Sequence, residues 1–238
     1  MNVLIVHAHP EPHSFTAAMK DVASTTLKQM GHEVTISDLY ADGFNPVAGP
    51  ADFGERKDAD YLVYSLEQRH NWQQRTIAPD IAREVERVVA CDLLILSFPI
   101  FWFSVPAIMK GWIDRVFMSG VFYGGRRIYG RAGMTKKRAL VAATLGGREH
   151  MFGQHAIHGE LNGMLRHVLQ GTLGYCGFKV VKPFFGYHIP YITPQERNEC
   201  LQRYRDHLAR LDQLPLLDMP EIADFDERLA PLHPAQDG

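Results

Sequence analysis

Apolar residues recur along this chain in two ways, as short unbroken runs and as helical stripes, and the two kinds alternate. Val3–Val6 is a β-rich apolar run and predicts a first strand. The polar loop HAHPEPHS follows, and Ser14 can cap a helix whose apolar positions Phe15, Met19, Val22 and Met30 fall near helical spacing, with Gly31 ending it. Glu33–Ser37 predicts a second strand, Ile81–Ala90 an amphipathic helix, and Asp92–Ser97 a strand covered on both faces. Val105–Phe117 predicts a helix with Ile108, Met109, Trp112, Ile113 and Val116 as its buried stripe. Arg138–Ala143 predicts a fourth strand, Ile157–Leu173 a long helix, Phe178–Pro183 a fifth strand and Pro194–Leu211 a last helix. Tyr40–Asp80 reads as irregular, charged and rich in Asp, Gly and Pro, which is long for a connection.

Strands that alternate with helices predict an α/β, doubly wound parallel sheet. Five strands fit the order 2-1-3-4-5, in which ligands bind beyond the carboxyl ends of the strands where the order reverses. The loops after strands one, three and four then share one location: His7–Ser14, Pro99–Ser104 and Thr144–Arg148.

Composition narrows the picture without changing it. The chain has 238 residues, 46% of them hydrophobic, enough for one large domain rather than two. We expect a domain over 1–212 and a proline-rich tail over 213–238 that is a candidate to pack on a partner subunit. The net charge of -2 carries no basic stripe, which argues against nucleic acid as a partner. The longest apolar runs fall far short of a membrane span. MNVLIVHAHP reads as a strand rather than a signal peptide. Cys91, Cys176 and Cys200 are odd in number and widely spaced, so they predict neither a disulfide framework nor a zinc site; a reducing cytoplasm is the economical compartment.

Each loop has a plain reading and a chemical one. HAHPEPHSF is either an ordinary capped turn or an anion site, where unpaired helix N–H groups, the Ser14 hydroxyl and a ring N–H of His9 would meet a phosphate. Neither G-x-G-x-x-G nor G-K-[ST] occurs. PIFWFSVP is either a piece of core or a rigid wall, stiffened by Pro99 and Pro106, for a flat heteroaromatic ligand such as an isoalloxazine. TLGG is either a turn or a place where amides approach such a ring closely. His158 in AIHGE is a candidate by its nearness to that third loop.

Taken together the three loops are recognisable. The chain resembles the flavodoxin-like NAD(P)H:quinone oxidoreductases, the DT-diaphorase type and its bacterial relatives. The resemblance rests on LIVHAHPEPHSF, on FPIFWFSVPAIMKGWIDRVF at 98–117 against the family's F-P-x-x-W-F-x-x-P-A-x-x-K-G-W-x-x-R-V-F, on SDLYADGFNP, and on TLGG, AIHGE and CGFKV in the same order. It covers nearly all of 1–212. It implies a homodimer with one flavin per subunit and ping-pong hydride transfer from NAD(P)H, through flavin N5, to a quinone or similar acceptor. Carried over by position, His9, Ser14 and Phe15 would meet the flavin phosphates and ribityl. Pro99, Ile100, Phe101, Trp102 and Phe103 would line its ring, and Thr144, Leu145, Gly146 and Gly147 its far edge. Arg197 matches a position near the adenine half of FAD, which favours FAD over FMN. Trp102 and Phe103 would sandwich the nicotinamide or quinone, His158 would donate a proton, and Tyr123 and Tyr175 would reach over the partner's pocket.

The chain also departs from the pattern. A family tyrosine that works with the histidine is Phe152 here, which donates no proton, so His158 would act alone or through water. Gly125 replaces a second pocket tyrosine, and Val63 falls nearest a loop glutamine. Gln170 and Gly174 stand where some relatives place zinc-binding histidines, so no metal is expected. One alternative is an ancillary flavoprotein of a membrane transporter, such as a potassium-efflux system.

Overall fold

The computed structural model describes residues 1–232. In chain order it contains β1 (Asn2–His7), α1 (Phe15–Gln29), β2 (Glu33–Asp38), α2 (Tyr64–Gln74), α3 (Pro79–Ala90), β3 (Leu93–Pro99), α4 (Ala107–Val116) and β4 (Arg138–Thr144). The short helical pieces α5 (Leu161–Met164) and α6 (Arg166–Val168) run into a π-helical turn at Leu169–Gly174, and β5 (Lys179–Val180), β6 (Phe184–Gly186) and α7 (Pro194–Ala209) complete the chain's main elements.

All strand pairings are parallel, and the order is β2-β1-β3-β4-β5, with β6 also pairing β4. Every residue of β3 is buried, as its apolar run requires of a central strand. Alternate residues of β1 enter opposite layers. Leu4 and Val6 join Ile81, Val85, Trp112 and Leu165 on one face, while Val3 and Ile5 join Met19, Leu27, Tyr204 and Leu208 on the other. The doubly wound parallel sheet is therefore as expected.

The number of strands is not: among the described residues there are six rather than five, because the last edge is split. Between Ala139↔Val180 and Ala142↔Phe184 the edge chain spends one more residue than β4. Lys182 N–H turns away to Pro215 O at 2.9 Å, and Pro183 has no N–H to give. The tail fills that edge: Val181 bridges Leu216, and Leu217 N–H reaches Val180 O at 2.8 Å. The described part of the tail thus lies along this edge of its own sheet, and residues 233–238 lie outside the described residues.

Two further expectations change. The single helix over 157–173 is three pieces. The chain unwinds at Leu165 (φ -88, ψ 10), and the Thr172 hydroxyl competes for the His167 carbonyl at 3.0 Å. The irregular stretch 40–80 contains α2. That helix buries Glu67, Gln68 and Asn71, so it shows no apolar stripe. The long connection is bolted to α4 by Arg115, which reaches Asp52 and Asp80 at 2.6 Å and Asn45 O at 2.8 Å. It also crosses α4 so closely that a Cβ on Gly111 would stand 2.1 Å from Pro46 O.

Candidate active site

The carboxyl ends of β1, β3 and β4 bring the three loops together. Buried hydroxyl contacts tie the elements beneath them: between β1 and β3 His7 Nδ1 lies 3.2 Å from Ser97 Oγ, and between α1 and β4 Thr16 Oγ1 lies 2.7 Å from Thr144 Oγ1. Burial pulls His7 down to about 4, against the opposing Asp38 carboxylate, so this imidazole is neutral at pH 7.

On the first loop Ser14 is the N-cap of α1, its Oγ accepting from Ala17 N–H at 3.1 Å. The N–H groups of Phe15 and Thr16 find no acceptor among the described residues. They form a donor pair at the positive end of a helix. Phe15 itself packs half-buried against the core. His9 is half-buried, and burial lowers its pKa. Its Nδ1 accepts from Glu11 N–H at 2.9 Å, so in the neutral ring Nε2 carries the proton.

The second loop answers the choice between core and wall. Pro99 is buried and Ile100 half-buried, but Phe101, Trp102 and Phe103 are 47%, 96% and 42% exposed. Phe101 and Ser104 exchange two backbone bonds of 3.0 Å. The central residues Trp102 and Phe103 have φ of 51° and 58°. Such a turn ordinarily takes Asn-Gly, and left-handed backbone costs an ordinary residue about 1–2 kcal/mol. Strain of this kind persists where neighbours impose it, and it clusters at functional sites. The N–H groups of Trp102 and Phe103 find no acceptor among the described residues.

The third loop presents another such pair. Thr144 and Leu145 are buried, and Leu145 N–H is spent on Gly186 O. Gly146 and Gly147 offer N–H groups with no acceptor among the described residues, while both their carbonyls are engaged. His188 N–H donates to Gly147 O and His188 Nδ1 to Gly146 O, each at 2.9 Å. A Cβ on Gly147 would stand 2.8 Å from the Phe152 ring.

His158 lies in the turn before α5 rather than on a long helix. Its ring is 5.3 Å from both Phe103 and Phe152. Phe152 in turn stacks at 5.9 Å on Tyr187, whose hydroxyl is held above its usual range by burial and by the Glu149 carboxylate. Arg197, on the first turn of α7, reaches Ile189 O at 3.4 Å behind the Gly146–Gly147 loop.

Tyr123 and Tyr175 stand apart from this cluster. They pair with each other at 5.3 Å and line a cavity of about 610 Å³ with Tyr64, Gln68, Asp114 and Phe117. Sequence reasoning missed Thr16, Tyr187 and His188. The last two follow β6, which adjoins β4, so the rule that gathered three strand-end loops extends to this fourth one.

Six unspent N–H groups, flat exposed rings and a pair of glycines fit a planar ring rich in acceptors with a phosphate-bearing tail. An isoalloxazine with a phosphate-bearing tail has this character, and the groups that would hold it are already in place.

Comparison with known proteins agrees. The sequence model of the flavodoxin-like fold family matches residues 1–208. NAD(P)H dehydrogenase [quinone] 1 of Cavia porcellus is 39% identical over 219 residues, covering 91% of this chain and 80% of that protein. Ribosyldihydronicotinamide dehydrogenase [quinone] of Homo sapiens is 37% identical over 210 residues, covering 88% and 91%. A crystal structure of a candidate quinone reductase from Klebsiella pneumoniae superposes with a TM-score of 0.91 at 31% identity, covering 100% of this chain and 97% of that one.

Proposed function

This chain belongs to the flavodoxin-like fold family, and from that premise we propose that it is a flavin-dependent NAD(P)H:quinone oxidoreductase. The observation that carries the reading is the convergence of Trp102, Phe103 and His158 with free N–H groups on three strand-end loops. When bound, a flavin supplies hydride acceptance from NAD(P)H and hydride donation to a quinone.

The chain's own residues bind, orient and move protons. The Phe15 and Thr16 N–H groups, with Ser14 and His9, suit the phosphate end. Trp102 and Phe103 offer flat faces to the cofactor and to each substrate ring in turn. The Gly146 and Gly147 N–H groups are preorganised donors for negative charge developing at the ring's far edge. His158, tilted against the Phe103 ring, is the proton donor to the reduced acceptor, and Phe152 leaves it without a phenolic partner at that position.

Arg197, on the first turn of α7, supports FAD over FMN. A second copy of the chain would cover the open aromatic face, with Tyr123 and Tyr175 reaching across. Three free, buried thiols suit a reducing cytoplasm. Among the described residues no helix is long and apolar enough to cross a membrane. The ancillary-transporter alternative gains no support from these relatives.

The test is the visible spectrum of the purified protein, with the flavin released by heat and identified by chromatography, followed by NAD(P)H turnover with a small quinone. FAD with turnover is the expected result. FMN would remove the role given to Arg197. No flavin, and none taken up on addition of FAD or FMN, would overturn the proposal.

A further inference from the structure

Among the described residues, one side-chain hydrogen bond fastens the strained aromatic turn to its surroundings. Ser104 Oγ lies 2.8 Å from His167 Nε2. His167 Nδ1 lies 3.1 Å from Met164 O, and a carbonyl only accepts, so Nδ1 bears a proton. In the neutral ring Nε2 is then an acceptor, and the Ser104 hydroxyl donates to it. The break in the helix supplies this anchor. In a regular helix Met164 O would take Val168 N–H, but that N–H goes to Leu165 O at 2.9 Å. Thr172 Oγ1 then ties the His167 carbonyl to the π-helical turn at 3.0 Å. By comparison the Phe103–His158 contact is a tilted ring pair at 5.3 Å, with no fixed direction.

We propose that Ser104 and His167 are positioning residues, a clamp that holds the Phe101–Ser104 turn in the left-handed form that presents Trp102, Phe103 and their free N–H groups to the flavin. The inference rests on the flavin reading of this site. Without the clamp the turn relaxes toward backbone forms that bulky residues prefer. A ligand that needs the strained form is then weakened by the fraction of molecules still holding it. A hydrogen bond of this kind corresponds to about a 2- to 12-fold change.

The experiment compares Ser104→Ala, His167→Ala, the double variant and His167→Gln, whose amide oxygen can still accept from Ser104. Amide exchange at Phe101 and Ser104 is measured on flavin-free protein, and FAD and FMN affinities are measured by titration. Each alanine variant is expected to speed exchange at those two amides and to weaken flavin binding about 2- to 12-fold. The double variant should be no worse than either single, and His167→Gln should recover most of both effects. Exchange and affinity equal to wild type in both alanine variants, or single effects that add fully in the double, would overturn the clamp. If the wild-type protein binds no flavin, the exchange data still decide the clamp and only the flavin reading falls. If wild type binds flavin and the variants match it, the clamp alone falls.

Discussion

Replacing Trp102 separates stability from function. The side chain is 96% exposed, so on folding it buries only about 10 Å² of a ring that could bury roughly 250 Å². At about 25 cal/mol per Å² that is ~0.3 kcal/mol, and Trp102→Ala should lower the melting temperature by only about 1 °C. Trp102→Gly goes further. It relieves about 1–2 kcal/mol of left-handed strain at φ 51° and costs about 0.5–1 kcal/mol in chain entropy. The glycine variant should therefore be more stable than the alanine variant by about 0.5–1 kcal/mol. On the proposed function both lose the ring that would stack on the cofactor, a contact worth about 0.5–1.5 kcal/mol, so flavin affinity should fall about 2- to 12-fold, with turnover falling alongside. Thermal and urea denaturation of flavin-free protein measure the first half, and flavin titration measures the second. A melting temperature lowered by more than about 5 °C in Trp102→Ala would return the aromatic loop to the core. Wild-type affinity and rates in both variants would remove Trp102 from the site.

Three further outcomes are expected. His158→Gln should slow quinone reduction while leaving flavin bound; stopped-flow rates equal to wild type across pH would take His158 out of proton transfer. Arg115→Met should destabilise the fold by about 3–5 kcal/mol in urea, since it strands the Asp52 carboxylate in a buried site with Tyr64; a loss under 1 kcal/mol would mean that the long connection is not held by this pair. His7 has a folded pKa lowered to about 4 from 6.5, so the unfolded chain binds the extra proton between those values. Stability should fall as pH drops from about 6.5 to about 4, and His7→Asn should flatten that slope in urea midpoints; an unchanged slope would assign it elsewhere.

The pattern of residues determined the layers. Strands β1, β3 and β4 were legible because a buried strand needs only a local apolar run, and the strand-order rule then placed three loops at one end. Helix α2 was not legible, because its inward polar residues are satisfied by partners outside the helix, Glu67 by the Lys57 and Asp58 N–H groups of the preceding loop and Gln68 by the distant Asp114 and Arg115 carbonyls. The break after Met164 was hidden for the same kind of reason: Thr172 has the composition of a helix residue until its hydroxyl finds the His167 carbonyl. The site divides along this line. Aromatic residues, paired glycines and a capping serine are properties of the sequence. That Trp102 and Phe103 take positive φ, that the Gly146 and Gly147 carbonyls are engaged by His188 while their N–H groups find no acceptor among the described residues, and that His158 meets Phe103 as well as its near neighbour Phe152 are decided by the fold, which joins His188 to Gly146 across 42 residues and brings His158 to a ring far earlier in the chain. A backbone polar group is free or spent only in relation to what the rest of the fold brings beside it, and no local spacing records that.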